Sequence, residues 1–135
     1  MRITRQADYA TRALLYLASA KKGKRVATSQ IAIEQQIPAS FLSKIISQLS
    51  LAGLLNTSRG ARGGIRLARE AEQITLLDVI EAIDGPIQLN ICVEDKGSCA
   101  LEGNCPLQSV WCDIQKELVT KLKSTNFGQL SASST

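Results

Sequence analysis

The 135-residue chain contains no histidine. That removes imidazole acid–base chemistry, histidine-containing hydrolytic triads and histidine-ligated zinc. Its carboxylates are scattered, with no pair arranged for acid–base work, so no enzyme is expected. No apolar run approaches the length of a membrane span. The opening Met1–Gln6 has none of the apolar core of a signal peptide. A cytoplasmic protein with no membrane partner and with reduced thiols is the expectation. Acids are nearly missing from the front half. From Met1 to Arg69 only Asp8 and Glu34 stand against twelve Lys and Arg, whereas from Glu70 onward ten acids face four lysines. A basic front half of this kind calls for a polyanion.

What is present begins with a helix. Over residues 4–20, Ala7, Ala10, Ala13, Leu14, Leu17 and Ala18 recur at helical spacing, with Arg5, Asp8 and Arg12 on the other side. Gly23, among lysines and Arg25, is a stop signal. Thr28 and Ser29 open a second, short helix, their hydroxyls suited to its free N–H groups. Pro38 forces the residue before it out of the α region and interrupts the helix. A third run from Ser40 to Ala52 has Phe41, Leu42, Ile45, Ile46 and Leu49 on one side and Ser40, Ser43, Lys44, Ser47 and Gln48 on the other. Two helices about a tight turn, the second with a small, polar and basic outer face, outline a helix-turn-helix.

Leu54–Ser58 and Ile65–Leu67 read as strands around Arg59-Gly60-Ala61-Arg62-Gly63-Gly64. The glycines allow hairpin backbone angles, and the arginines suit phosphate or a minor groove. A nucleotide-phosphate loop is a poorer fit, because the Lys-Ser/Thr pair is absent. A helix-turn-helix followed at once by a basic hairpin is a winged helix. Thr75 and Asp78 then form a capping-box-like start for a helix that ends at Asp84-Gly85-Pro86. A last helix is expected from Pro106, with Leu107, Val110, Trp111, Ile114, Leu118 and Leu122 at three- and four-residue steps. Its length suggests the pairing of two subunits.

All four cysteines lie between 92 and 112, separated by six, five and six residues. Structural zinc knuckles use shorter gaps, whereas an iron–sulfur cluster is larger and accepts longer loops. Spacing alone favours a cluster only modestly. On a helix from Pro106, Cys112 lies about 10 Å along the axis from Cys105, at ~1.5 Å per residue. It also falls off the Leu107–Val110–Ile114 stripe. This divides the cysteines into candidate ligands Cys92, Cys99 and Cys105 and an outsider, Cys112.

These residues resemble the Rrf-two (BadM-type) family of winged helix-turn-helix transcription regulators, in its cluster-binding branch. The likeness runs from Met1 to about Leu122. It rests on Met1–Leu14, Ile37–Ile45, Leu49–Leu55, Arg59–Leu67, the three spaced cysteines and Trp111. The resemblance implies a mainly α fold: a winged helix-turn-helix with a two-stranded β-hairpin wing and a long C-terminal dimerisation helix. It implies a homodimer on double-stranded promoter DNA, acting as a repressor. Ser40, Ser43 and Lys44 would lie on the recognition helix, and Arg59, Gly60, Arg62 and Gly63 on the wing. Thr28, Ser29 and Ser47 complete the expected DNA-binding set. Cys92, Cys99 and Cys105 would hold a 2Fe–2S or 4Fe–4S cluster sensing nitric oxide, iron or cluster supply, or redox state. Some members place a histidine where this chain has Gln108. In others an acidic residue at the position of Asp8 reaches the partner subunit's cluster. At Ser43 one member has a glutamate that tunes DNA choice, so the operator does not transfer. The alternative is a winged-helix regulator that senses by thiol oxidation or zinc. The expected organisation is a DNA-binding domain over 1–84, a cysteine-rich loop over 85–106, a dimerisation helix over 107–126 and a disordered tail over 127–135.

Overall fold

A computed structural model describes residues 2–61, 63–90, 93, 100–101 and 103–133. Among them are six α-helices and one antiparallel hairpin: α1 (Arg5–Ser19), α2 (Thr28–Glu34), α3 (Ala39–Leu51), β1 (Leu55–Ser58), β2 (Gly64–Leu67), α4 (Leu76–Asp84), α5 (Pro106–Ser124) and α6 (Phe127–Ser133). A 3-10 turn at Ala71–Gln73 precedes α4. The expected mainly α winged helix is the fold observed.

Helix α1 is the hub. Its alanine-rich face lets neighbouring helices approach closely, and Ala7, Ala10, Ala13 and Leu14 are fully buried. Thr4 starts it by accepting from Ala7 N at 3.1 Å, while the same hydroxyl donates to Asp84 at 2.6 Å. One short side chain thereby caps α1 and ties it to the end of α4. Against α1 pack α3, α4, α6 and β2. The core they share includes Leu14, Ile31, Leu42, Ile45, Leu49, Ile65 and Val79. A second, smaller cluster of Ile80, Ile87 and Leu122 joins α4 to α5.

Several expected boundaries shift. The first helix stops at Ser19, and Gly23, with φ +80°, belongs to the turn beyond it. Ala27, not Thr28 or Ser29, caps α2, and no side chain bonds there. Phe41 is not a core residue. It is 42% exposed and meets Tyr9 at a ring-centroid distance of 6.2 Å. The Thr75–Asp78 box forms in full, with both reciprocal hydrogen bonds present.

The largest correction concerns the tail expected to be disordered over 127–135. Residues 127–133 form α6, which returns to pack on α1 and the 3-10 turn. The chain arrives there as an extended segment: Leu76 N donates to Thr125 O at 2.9 Å and Phe127 N to Ile74 O at 3.0 Å. Asn126 and Gln129 then bond reciprocally, side chain to backbone. That capping box satisfies two open N–H groups of a short helix. Phe127 itself is fully buried in the main core. Residues 134 and 135 lie outside the described residues.

If Phe127 anchors this return, Phe127→Ala should cost about 3–5 kcal/mol, the usual range for emptying a buried aromatic site. Urea unfolding should show a lower midpoint with an unchanged slope.

Candidate nucleic-acid interface and cysteine segment

The hairpin is built by exact pairing of short strands: Leu55 with Leu67, Asn56 with Arg66, Thr57 with Ile65 and Ser58 with Gly64. Two strands alone are marginal in water. Here a third segment supports them, because Val26 N donates to Ile65 O at 2.9 Å and Ile65 N to Val26 O at 2.8 Å. This close approach needs Gly64. Its φ is +139°, and a Cβ there would lie 2.7 Å from the Val26 carbonyl oxygen. Gly63 is equally constrained, since a Cβ would meet the Ser58 carbonyl oxygen at 2.3 Å. Arg25 completes the support. Its Nη1 donates to Gly64 O at 3.3 Å, with Asn56 O at 3.5 Å.

This scaffold opens a cleft of about 450 Å³ between the start of α2, the outer face of α3 and the wing. Thr28, Ser43, Arg59, Gly60 and Gly63 line it together. Ser29, Ser40, Lys44 and Ser47 are exposed on the same two helices but do not line the cleft. Arg62 lies outside the described residues. Sequence reasoning missed Thr57 and Ser58, which line the cleft, and Arg25, which steadies the wing. Strand alternation could have found Thr57. Nothing in the sequence marks Arg25 apart from the other cations of its run.

The turn of the helix-turn-helix is held from α1. Arg12 Nη1 donates to Gln35 O at 3.0 Å, at the end of α2. Its guanidinium lies over the Tyr9 ring at 4.9 Å, and Tyr9 meets Phe41 of α3. Asp8 Oδ2 stands 3.4 Å from Arg12 Nε, with 60% of the Asp8 side chain exposed. An exposed i, i+4 pair of this kind is weak, so the carboxylate is only loosely held. Nearby, Gln30 donates to the Tyr16 hydroxyl at 2.8 Å. A hydrogen bond with Glu34 is the main cause that holds the Tyr16 phenol above its ordinary pKa.

Of the cysteines, Cys105 caps α5 and Cys112 lies about two turns along the helix from it, both half-buried and free. Cys92 and Cys99 lie outside the described residues, so their relation to Cys105 and Asp8 is not part of the described structure. Among the described residues no group of three His, Cys, Asp or Glu side chains converges to hold a metal. Two glutamines of α5 hold the chain ahead of Cys92 and ahead of Cys105. Gln115 accepts from Leu89 N at 3.0 Å and donates to Ile87 O. Gln108 accepts from Gly103 N at 3.5 Å. Along the outer side of α5, Leu107, Val110 and Ile114 are 55%, 47% and 41% exposed. Three large apolar side chains in one helical stripe are unusual on a finished surface.

A recognition helix beside a basic wing, braced by a third strand segment, defines a winged-helix DNA-binding protein. The comparisons carry this to a family. A model named Rrf2 and described as "Iron-dependent Transcriptional regulator" matches residues 3–133, and the chain belongs to the Rrf2 family of transcriptional regulators. It is a regulator and not an enzyme. Among its relatives are an HTH-type transcriptional regulator of Mycobacterium tuberculosis, 34% identical over 97% of this chain and 81% of the relative. The HTH-type transcriptional regulator NsrR of Shouchella clausii is 35% identical over 82% of this chain and 74% of the relative. Of solved structures, CymR, the global cysteine regulator of B. subtilis, superposes with a TM-score of 0.86 at 26% identity, covering 100% of this chain and 99% of that one. T. potens IscR does so at 0.76 and 26%, covering 98% and 88%. No helix among the described residues is long and apolar enough to cross a membrane.

Gly64→Ala should disturb the wing root through strain of about 1–3 kcal/mol at a positive φ. Duplex binding, measured by fluorescence anisotropy, should weaken roughly tenfold for 1.4 kcal/mol lost, with far-UV circular dichroism unchanged.

Proposed function

We propose that the protein is a homodimeric transcription regulator, a repressor, whose grip on promoter DNA is set by an iron–sulfur cluster on Cys92, Cys99 and Cys105. One observation carries the reading. Cys105 caps the helix whose outer stripe is apolar and exposed, and Gln115 and Gln108 of that helix bond the chain ahead of Cys92 and ahead of Cys105. A change in the segment is thereby a change at α5.

The donor chemistry fits. Three thiols in a polar segment suit a thiolate-held cluster, and Cys105 stands at the start of a 19-residue helix. Gln108 is engaged with Gly103, which leaves the fourth position to another group. Asp8 of a second copy supplies it, since its carboxylate is exposed and weakly paired. The cluster, when bound, supplies redox and ligand-exchange chemistry. The chain's own residues turn that into motion. A carboxylate drawn away from Arg12 loosens the clamp from Arg12 to Gln35 at the helix-turn-helix turn. The Leu107–Val110–Ile114 stripe is the seam with the second copy. Burying it removes apolar surface at about 25 cal/mol per Å².

At the DNA, Arg59 grips phosphate or minor groove while Ser40, Ser43, Lys44 and Ser47 face the major groove and Thr28 and Ser29 the backbone. Thiol oxidation without a cluster is the second reading. It rests on Cys112, half-buried and free on α5, which the first reading leaves without a task.

Anaerobically purified protein should be coloured and contain iron and acid-labile sulfide. Cys105→Ser should lose both. Zinc without sulfide, or no metal after reconstitution, would favour the second reading. Arg59→Ala should keep the iron but lower the slope of log affinity against log salt by about one, as for one lost phosphate contact.

A further inference from the structure

Two clefts lie against the wing, and they share no lining residue. Thr57 and Ile65 line the one beside the recognition helix. Their neighbours Asn56 and Arg66, paired across the strands, line the other, of about 440 Å³. At these two pairs alternate residues point to opposite sides of the hairpin. The Val26–Ile65 bridge is antiparallel. It therefore sets residues before Val26 beside those after Ile65, at the root of the wing and away from its tip.

Five cations converge there: Lys21, Lys22 and Lys24 from the α1–α2 connection, and Arg66 and Arg69 from the end of the hairpin. Two carboxylates share the cleft. Glu70 pairs with Lys22 at 3.0 Å. Glu72 is exposed, and its side chain lies over Gly128 of α6. Among the described residues no carboxylate lies within ion-pair distance of Lys21, Lys24 or Arg66. Leu17, Ala18 and Leu67 give the cleft an apolar wall.

Like charges gathered at one place repel unless something anionic sits among them. The cleft shares no lining residue with the one on the recognition face, and its volume is inside the range of small-ligand sites. We propose that it binds a small organic anion bearing phosphate or carboxylate groups, whose charged end meets Lys24 and Arg66 and whose carbon skeleton lies on Leu17 and Leu67. Bridging the α1–α2 connection to the wing root, such a ligand stiffens the strand that carries Arg59. The protein then has a second effector input, separate from the cysteines. This effector role rests on the DNA-binding reading above, whereas the anion site does not.

Isothermal titration calorimetry of the full chain with inorganic phosphate and with succinate, at constant ionic strength, tests it. At least one probe should bind saturably at one site per chain. Lys24→Gln with Arg66→Gln should weaken it about tenfold or more, as for lost charge-assisted hydrogen bonds, while Arg59→Gln leaves it unchanged. Absence of saturable binding in the millimolar range overturns the proposal. So does binding that survives the double substitution and vanishes in Arg59→Gln, which would put the anion in the DNA cleft. A duplex titration in parallel separates the remaining source of phosphate. The double variant should keep the wild-type salt slope. A slope lowered by about two would make the cluster a DNA-backbone surface, and the small-anion site would be withdrawn. If no variant and no wild-type protein binds duplex, the DNA-binding reading fails on its own, and the anion result stands apart from it.

Discussion

Two backbone hydrogen bonds between Val26 and Ile65 decide where the functional surfaces lie. They add a third segment to a hairpin that would otherwise be too small to hold its shape in water. They require Gly64, because no other residue tolerates both its backbone angle and the distance to Val26. With the hairpin so fastened, Ile65 enters the core, and Gly64 and Arg66 on either side of it turn the other way. One cleft against the wing is lined by Thr28, Ser43 and Arg59, and the other gathers Lys24 and Arg66.

Helix α1 carries the remaining connections. Its small apolar residues admit α3, α4 and α6 at close range, and Arg12 reaches the end of α2. At its start Thr4 joins it to Asp84, just before the chain turns toward the cysteines. One turn on, Asp8 and Arg12 face the helix-turn-helix, with Arg12 bonded to the Gln35 carbonyl. A single helix therefore touches the recognition unit and the route to the sensor segment. In the proposed mechanism the loosely held Asp8 carboxylate is the point where the two meet.

Much of this was legible in the residues. The helical periodicity of 4–20 and 40–52, the Thr75–Asp78 box, Pro106 at the start of α5 and the Arg-Gly wing each express local chemistry, and each element stands within a few residues of its expected place. Where readings failed, a competing contact won. Phe41 fits an apolar stripe, yet it lies at the edge where α1 meets α3. Residues 127–133 look like a polar tail because they run into the Ser-rich stretch 129–135, and a helix is there because Phe127 finds a place in a core built by distant residues. The Asn126–Gln129 box was a local signal for that helix, outweighed by the composition around it.

The sequence by itself determined the class of the protein. Periodicity, turn chemistry, basic charge in the front half and three spaced cysteines are properties of neighbouring residues, and they suffice for a winged helix with thiols to one side. Only the tertiary structure decided which cations share a surface. Lys24 and Arg59 are both basic loop residues, and nothing local distinguishes them. The pairing of Val26 with Ile65 brings Lys24 to the root of the wing, in the cleft that holds Arg66, while Arg59 at the turn lines the other cleft, because the partner that the Val26 segment pairs with lies far along the chain.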